Sequence, residues 1–214
     1  MNSTRRSRIF LLLACVVWVS AVGHGLSLVW GFENSPGRTG TPPSRWPDDS
    51  EIKRNGALPT LVLFIHPHCP CSRATIGELA ILMTHSQGLV NVKALFVRPA
   101  DFGEAWEKTD LWSSATEIPS VSVTTDDKGV EARRFGSETS GQVALYSAEG
   151  QLLFSGGITG SRGHSGDNEG RTAILSLLTT GKAAKTETPV FGCPLVKVTS
   201  KKELEEFCDP FHGN

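Results

Sequence analysis

The stretch that most narrows the folds open to this chain is residues 60–75, TLVLFIHPHCPCSRAT. A short continuous apolar run closed by turn residues fits a strand buried on both faces. Such a strand sits inside a sheet covered by helices. Cys69 then takes a helix N-cap position and Pro70 the first helical residue, where proline is favoured. Ile76, Leu79, Ala80 and Met83 recur at helical spacing, so the helix is expected to reach about His85, with Gly88 as terminator. VNVKALFV (90–97) is a second buried-type strand.

The rest of the chain continues this alternation. Residues 101–115 read as a helix, with Phe102 and Trp106 four apart and Trp106 expected in the core. Residues 121–129 read as a strand and turn, followed by a short helical piece to Phe135. QVALY (142–146), the turn SAEG and QLLFS (151–155) form a hairpin. A Gly-rich loop, GGITGSRGHSGDNEG, leads into the helix RTAILSLL. This order calls for an α/β domain, a mixed sheet covered by helices on both faces, over residues 59–182. A tail, 183–214, carries Cys193, a capping-box signal at S-K-K-E (200–203) and a short helix ending near Cys208.

The other end sets the compartment. Residues 9–30 hold no Asp, Glu, Lys or Arg and follow the basic flank MNSTRRSR. That run is long enough to cross a bilayer as a helix, with arginines inside and Trp30 near the outer edge. Residues 1–30 are therefore read as a single-pass anchor. A cleaved signal peptide with V-S-A (19–21) and a lipoprotein site at L-L-A-C (12–15) are the alternatives. All three place residues 31–214 outside the cytoplasm, where disulfide chemistry is permitted. Residues 31–58, rich in Gly, Pro, Ser and charge, read as a flexible linker, with Trp46 touching the membrane surface or nothing. Three of the 21 Lys and Arg are Arg5, Arg6 and Arg8, leaving 18 against 22 Asp and Glu beyond residue 30. There is no basic stripe, and nucleic acid is not an expected partner.

The chemistry gathers at the strand-helix junction. Thiols on the first turn of a helix meet unpaired N–H groups and the positive end of the dipole, which favour thiolate. His66 and His68 add positive charge when protonated. A disulfide across one residue closes a tighter ring than the usual two-residue spacing, so the oxidised pair is expected to be a comparatively strong oxidant. The alternatives are a static bridge, two buried thiols, or a copper or zinc site built on His66, His68, Cys69 and Cys71, which needs a further ligand such as His164 or Cys193. Cys193, in PVFGCPL, either joins the pair as a resolving thiol or pairs with Cys208 as a staple.

A buried strand ending in cysteines at a helix start resembles the thioredoxin superfamily. The extra strand and short helix at 121–135 resemble membrane-anchored, TlpA-like thioredoxins and the peroxiredoxins. HPHCPCSRA, TDLW, EARRFG, TSGQ, GGIT-SRGH-GDN and FGCPL are similar to bacterial RedB-type proteins, from about Pro59 to Leu195. The resemblance implies a thioredoxin-like fold and brings the loop after the last strand, with Arg162, His164 and Asp167, towards Cys69. His164 is then a proton acceptor, a metal ligand or a solvated loop residue, and Asp167 or Asn168 a helix cap. Two departures stand out. This chain has Cys-Pro-Cys where thioredoxins carry two intervening residues. It also has no proline near Ser140–Gly141, where thioredoxins place a cis-proline. A peroxidase is disfavoured because His66 stands where a Thr or Ser is needed.

The expectation is a thiol-disulfide oxidoreductase in the bacterial inner (cytoplasmic) membrane, held through residues 9–30 with its soluble domain facing the periplasm. Cys69 is the attacking thiol, expected nearer the exposed edge, and Cys71 closes the disulfide. His66, His68, Pro70, Arg162 and His164 support them. No cofactor is needed, and the partners are extracytoplasmic protein thiols or disulfides. The alternative is a Sco-like copper module with His68, Cys69, Cys71 and His164 as ligands.

Overall fold

The structure is a computed structural model that describes residues 3–100 and 102–195. It comprises two units, divided between Ser35 and Pro36. The first is one helix, α1 (Ser3–Glu33). Phe10, Leu12, Val17, Trp18, Leu26 and Trp30 are all exposed on it. Its stretch Arg6–Glu33 is long and apolar enough to cross a membrane. A helix apolar on every side, with its large hydrophobic side chains exposed, suits lipid better than water.

The second unit is built on a five-stranded sheet in the order β3-β2-β1-β4-β5. The strands are β1 (Thr60–Ile65), β2 (Asn91–Arg98), β3 (Val121–Asp127), β4 (Gln142–Tyr146) and β5 (Leu152–Gly157). β1, β2 and β3 run parallel, and β4 and β5 are antiparallel additions. Every residue of the central β1 is buried, as its unbroken apolar sequence requires. Leu61, Leu63 and Ile65 face one layer. It contains α2 (Ser72–His85), α3 (Asp110–Thr116) and α5 (Glu169–Thr180) through Ile76, Leu79, Leu82, Leu111 and Ile174. Val62 and Phe64 face the other, where α4 (Val130–Arg134) contributes Ala132 and the chain beyond it Phe135.

The structure departs from the sequence reading in several places. The helix expected over 101–115 is only α3, because Ala105 takes a left-handed φ of 71° and the chain turns there. Trp106 is consequently half-exposed rather than in the core.

Residues 36–58 are a packed cover rather than a free tether. Ser44 and Gly150 carbonyls accept from Leu152 and Trp46 N–H at 2.9 and 2.8 Å. The Trp46 ring stands edge-on to Phe135 (4.9 Å) and Tyr146 (5.3 Å), and the Tyr146 hydroxyl donates to the Pro43 carbonyl at 3.0 Å.

The described part of the tail runs along β5, where Ser155 N–H donates to Thr186 O and Thr188 N–H to Ser155 O. It then crosses to residues 138–140. There Ser140 N–H donates to Cys193 O (2.7 Å) and Leu195 N–H to Glu138 O (2.8 Å), with Thr139 and Pro194 paired antiparallel between them. Cys208 and the short helix expected near it lie outside the described residues.

Candidate redox site

The end of β1 delivers His66, and a tight turn follows. Cys69 N–H donates to His66 O (3.1 Å), Ser72 N–H to Cys69 O (3.0 Å) and Arg73 N–H to Pro70 O (3.4 Å). These three-residue bonds wind the chain into α2, whose N-cap is Cys71, with φ −65° and ψ −26°. Cys69 therefore sits in the turn ahead of the helix, not at its cap. Pro70 fits because no N–H is needed there. Cys69 is also the deeper thiol, 1% exposed against 8% for Cys71, the reverse of the expected order.

A third sulfur completes the cluster. Cys193 N–H donates to Cys69 Sγ at 3.4 Å. The Cys193 and Cys71 thiols both hydrogen-bond the Cys69 sulfur, and Ser72 adds a further bond. No disulfide joins Cys69, Cys71 and Cys193. The donors, Cys193 first and Cys71 second, hold the Cys69 thiol far below the ordinary range against the opposing effect of burial. The same bond to Cys69, then burial and the charge on Cys69, push the Cys71 thiol up, partly offset by Arg162. The reduced site thus favours thiolate at Cys69 beside a protonated Cys71.

Backbone and side-chain anchors fix these sulfurs. His66 N–H donates to the Ser140 hydroxyl at 2.7 Å, and the Ser140 and Ser72 hydroxyls share a 2.7 Å bond. Ser140 stands near the position where thioredoxins place a cis-proline, and no cis peptide bond occurs among the described residues. Arg162 donates to Gly192 O at 2.7 Å and hydrogen-bonds Cys71. Its loop is tied to α2 by the buried Glu78, which accepts from Gly166 N–H (2.7 Å), Asn168 Nδ2 (3.0 Å) and Arg171. Asn168 caps α5 through Arg171 N–H at 2.8 Å, while Asp167 stays exposed beside Arg171.

The histidines behave differently from one another. His66 is buried, and desolvation pushes its pKa down to about 4, so it adds no positive charge at neutral pH. His68 is exposed, with its ring 4.5 Å from that of Trp106 and its Nε2 at 3.2 Å from Trp106 O. Trp106 also stands edge-on to His66 at 5.6 Å and packs on Phe102. His164 is exposed, with Nδ1 2.8 Å from Arg162 O. Among the described residues no three His, Cys, Asp or Glu side chains form a group able to hold a metal ion. The donors of the copper alternative are not gathered, and no step is assigned to a metal.

The sequence named Cys69, Cys71, Pro70, Arg162 and, as one of two alternatives, Cys193, but not Ser72, Ser140, Trp106 and Gly192, which the structure packs around them. Only Ser140 carried a signal, as the residue at the vacant cis-proline position.

No protein-family profile matches the chain, and no curated protein does. Among solved structures, it is similar to a hypothetical protein from Sinorhizobium meliloti 1021. That match has a TM-score of 0.55 and 20% identity, over 77% of this chain and 97% of that one. A second is an uncharacterized conserved protein from Geobacillus kaustophilus, with TM-score 0.55 and 18% identity over 76% and 92%. A weaker likeness, TM-score 0.41 and 14% identity over 56% and 80%, is to a secreted Mycobacterium tuberculosis disulfide oxidoreductase homologous to E. coli DsbE. With three parallel strands, two antiparallel ones and a cysteine turn after the central strand, the fold is thioredoxin-like.

Proposed function

We propose that this chain is a membrane-anchored, extracytoplasmic thiol-disulfide oxidoreductase, of the RedB and TlpA-like kind that its motifs resemble. Its redox centre is the Cys69–Cys71 pair. α1 is the anchor, and the partners are protein thiols or disulfides on the periplasmic side. The observation that carries this reading is Cys69, buried in the turn between the central strand and α2, with its sulfur accepting from Cys193 N–H at 3.4 Å. A static buried thiol needs no such arrangement. A thiolate nucleophile does.

In one turn, the reduced pair gives up two electrons as a bond forms between Cys69 and Cys71. A partner disulfide takes those electrons and becomes two thiols. The reverse uses the same sulfurs. Arg162 stabilises negative charge on Cys71 when that sulfur leaves, and Ser140 and Ser72 hold the turn in place.

The test is a redox titration of the full chain in detergent, in defined glutathione buffers, with each cysteine alkylated and read by peptide mass spectrometry. A reversible Cys69–Cys71 disulfide is expected, and Cys69→Ser is expected to abolish exchange with a model disulfide. A pair that stays reduced at every potential, or full exchange in Cys69→Ser, would overturn the reading.

A further inference from the structure

The tail segment around Cys193 is held in the site. Val190 and Phe191 are buried on one side of it and Leu195 on the other. Two backbone bonds pair it with Glu138 and Ser140. Gly192 passes so close to Ser140 that a Cβ there would lie 2.0 Å from the Ser140 carbonyl oxygen. The same strap is clipped by Arg162 at Gly192 O. Cys193 is thus a fixed component of the site.

Its placement has two chemical consequences. The backbone groups of 138–140 are already paired, so an incoming polypeptide finds that edge taken. The three cysteine residues also differ in exposure. Cys69 and Cys71 are buried, and Cys193 is partly exposed. A partner approaching from solvent meets Cys193 first.

We propose that Cys193 is the partner-facing thiol of a three-cysteine relay, in which the disulfide passes from Cys69–Cys71 to Cys69–Cys193 and from there to a cysteine of the partner polypeptide. This rests on the oxidoreductase reading above. In the first step the Cys193 sulfur loses its proton and attacks Cys69. The Cys69–Cys193 bond forms and the Cys69–Cys71 bond breaks. Cys71 leaves with the electron pair beside Arg162 and takes up a proton, so no electron enters or leaves the protein. In the second step a partner thiolate attacks Cys193, and Cys69 leaves as a thiolate. Its depressed pKa makes it the better leaving group. A second partner thiol then attacks the partner sulfur of the mixed disulfide. The partner disulfide forms and Cys193 leaves to be protonated. Two electrons have moved from the partner dithiol to Cys69 and Cys71.

The experiment uses the full chain in detergent as wild type, Cys71→Ser and Cys193→Ser, with Cys193→Ala as a second version of the last. Each is oxidised with glutathione disulfide, quenched with acid and mapped by peptide mass spectrometry. Each is then mixed with a reduced peptide bearing two cysteines, and peptide oxidation is timed. Cys71→Ser is expected to collect a Cys69–Cys193 disulfide. Both Cys193 variants are expected still to reach the Cys69–Cys71 disulfide yet oxidise the peptide about tenfold more slowly, because the partly exposed thiol is lost. The proposal is overturned if Cys193 in oxidised Cys71→Ser stays alkylatable or is joined to Cys208. Wild-type peptide oxidation in both Cys193 variants would also overturn it. Should Cys69–Cys71 never form in the wild type, the oxidoreductase reading fails and the relay with it.

Discussion

Cys69 shows how a buried group can be made charged. Burial alone would keep its thiol protonated, and hydrogen bonds from Cys193, Cys71 and Ser72 outweigh it. A bond to a charged group contributes about 1.5–3 kcal/mol, equivalent to roughly one to two pH units. Cys193→Ala is therefore expected to raise the Cys69 midpoint by about that much, read from the pH dependence of thiolate absorbance and of alkylation rate. His66 gives a second pH signature. Its pKa falls from 6.5 to about 4 on folding, so the unfolded chain binds the proton more readily. Its contribution is fully present above pH 6.5 and is lost as pH falls towards 4. In His66→Gln, unfolding free energy measured by denaturant is expected to fall less steeply across that window. The two near thiols were legible in the sequence because adjacency and the apolar run locate them. Cys193 was legible only as one of two alternatives, because its place is set by a backbone pairing with residues far away in the chain. No periodicity encodes that pairing.

Among the elements, the strap and α2 govern the site. Gly192→Ala puts a methyl group against the Ser140 carbonyl and is expected to loosen the strap at a cost of about 1–3 kcal/mol. It should also slow Cys69 alkylation at acid pH, because the Cys193 donors move away. Glu78 holds the Arg162 loop to α2 from a fully buried position. Glu78→Ala leaves Arg171 without its buried partner and is expected to cost about 3–5 kcal/mol, measured by chemical denaturation. The strands of the sheet were legible because their apolar runs are unbroken. α2 begins at Ser72, two residues beyond Pro70, although Pro70 suits a first helical position. The three-residue bonds from Cys69 and Pro70 carbonyls take up those residues instead. The helix at 101–115 failed on a backbone conformation at Ala105 that its side chain gave no reason to expect.

For the molecule as a whole, the domain boundary moves. Composition marked residues 31–58 as a tether because Gly, Pro and charge dominate there. A few contacts that composition does not reveal decide otherwise from Pro36 onward. Ser50 Oγ donates to Glu131 at 2.6 Å, Gly40 N–H donates to Gln142 Oε1 at 3.2 Å, and Trp46 closes the second apolar layer. A fragment starting at residue 36 is expected to unfold cooperatively at a higher temperature than one starting at residue 59, measured by circular dichroism. Trp46→Ala is expected to cost about 2–3 kcal/mol in the longer fragment.

A thiolate at Cys69 beside a protonated Cys71 also fixes a proton count. Converting that site to a Cys69–Cys71 disulfide with Cys193 still a thiol releases two electrons but only one proton, from Cys71. Where Cys69 is ionised, the midpoint potential should therefore fall by about 30 mV per pH unit, half the slope of a pair in which both thiols start protonated. The pair is then expected to be a stronger oxidant in acid, but more gently than an ordinary dithiol, with its potential buffered against the acidity of its surroundings.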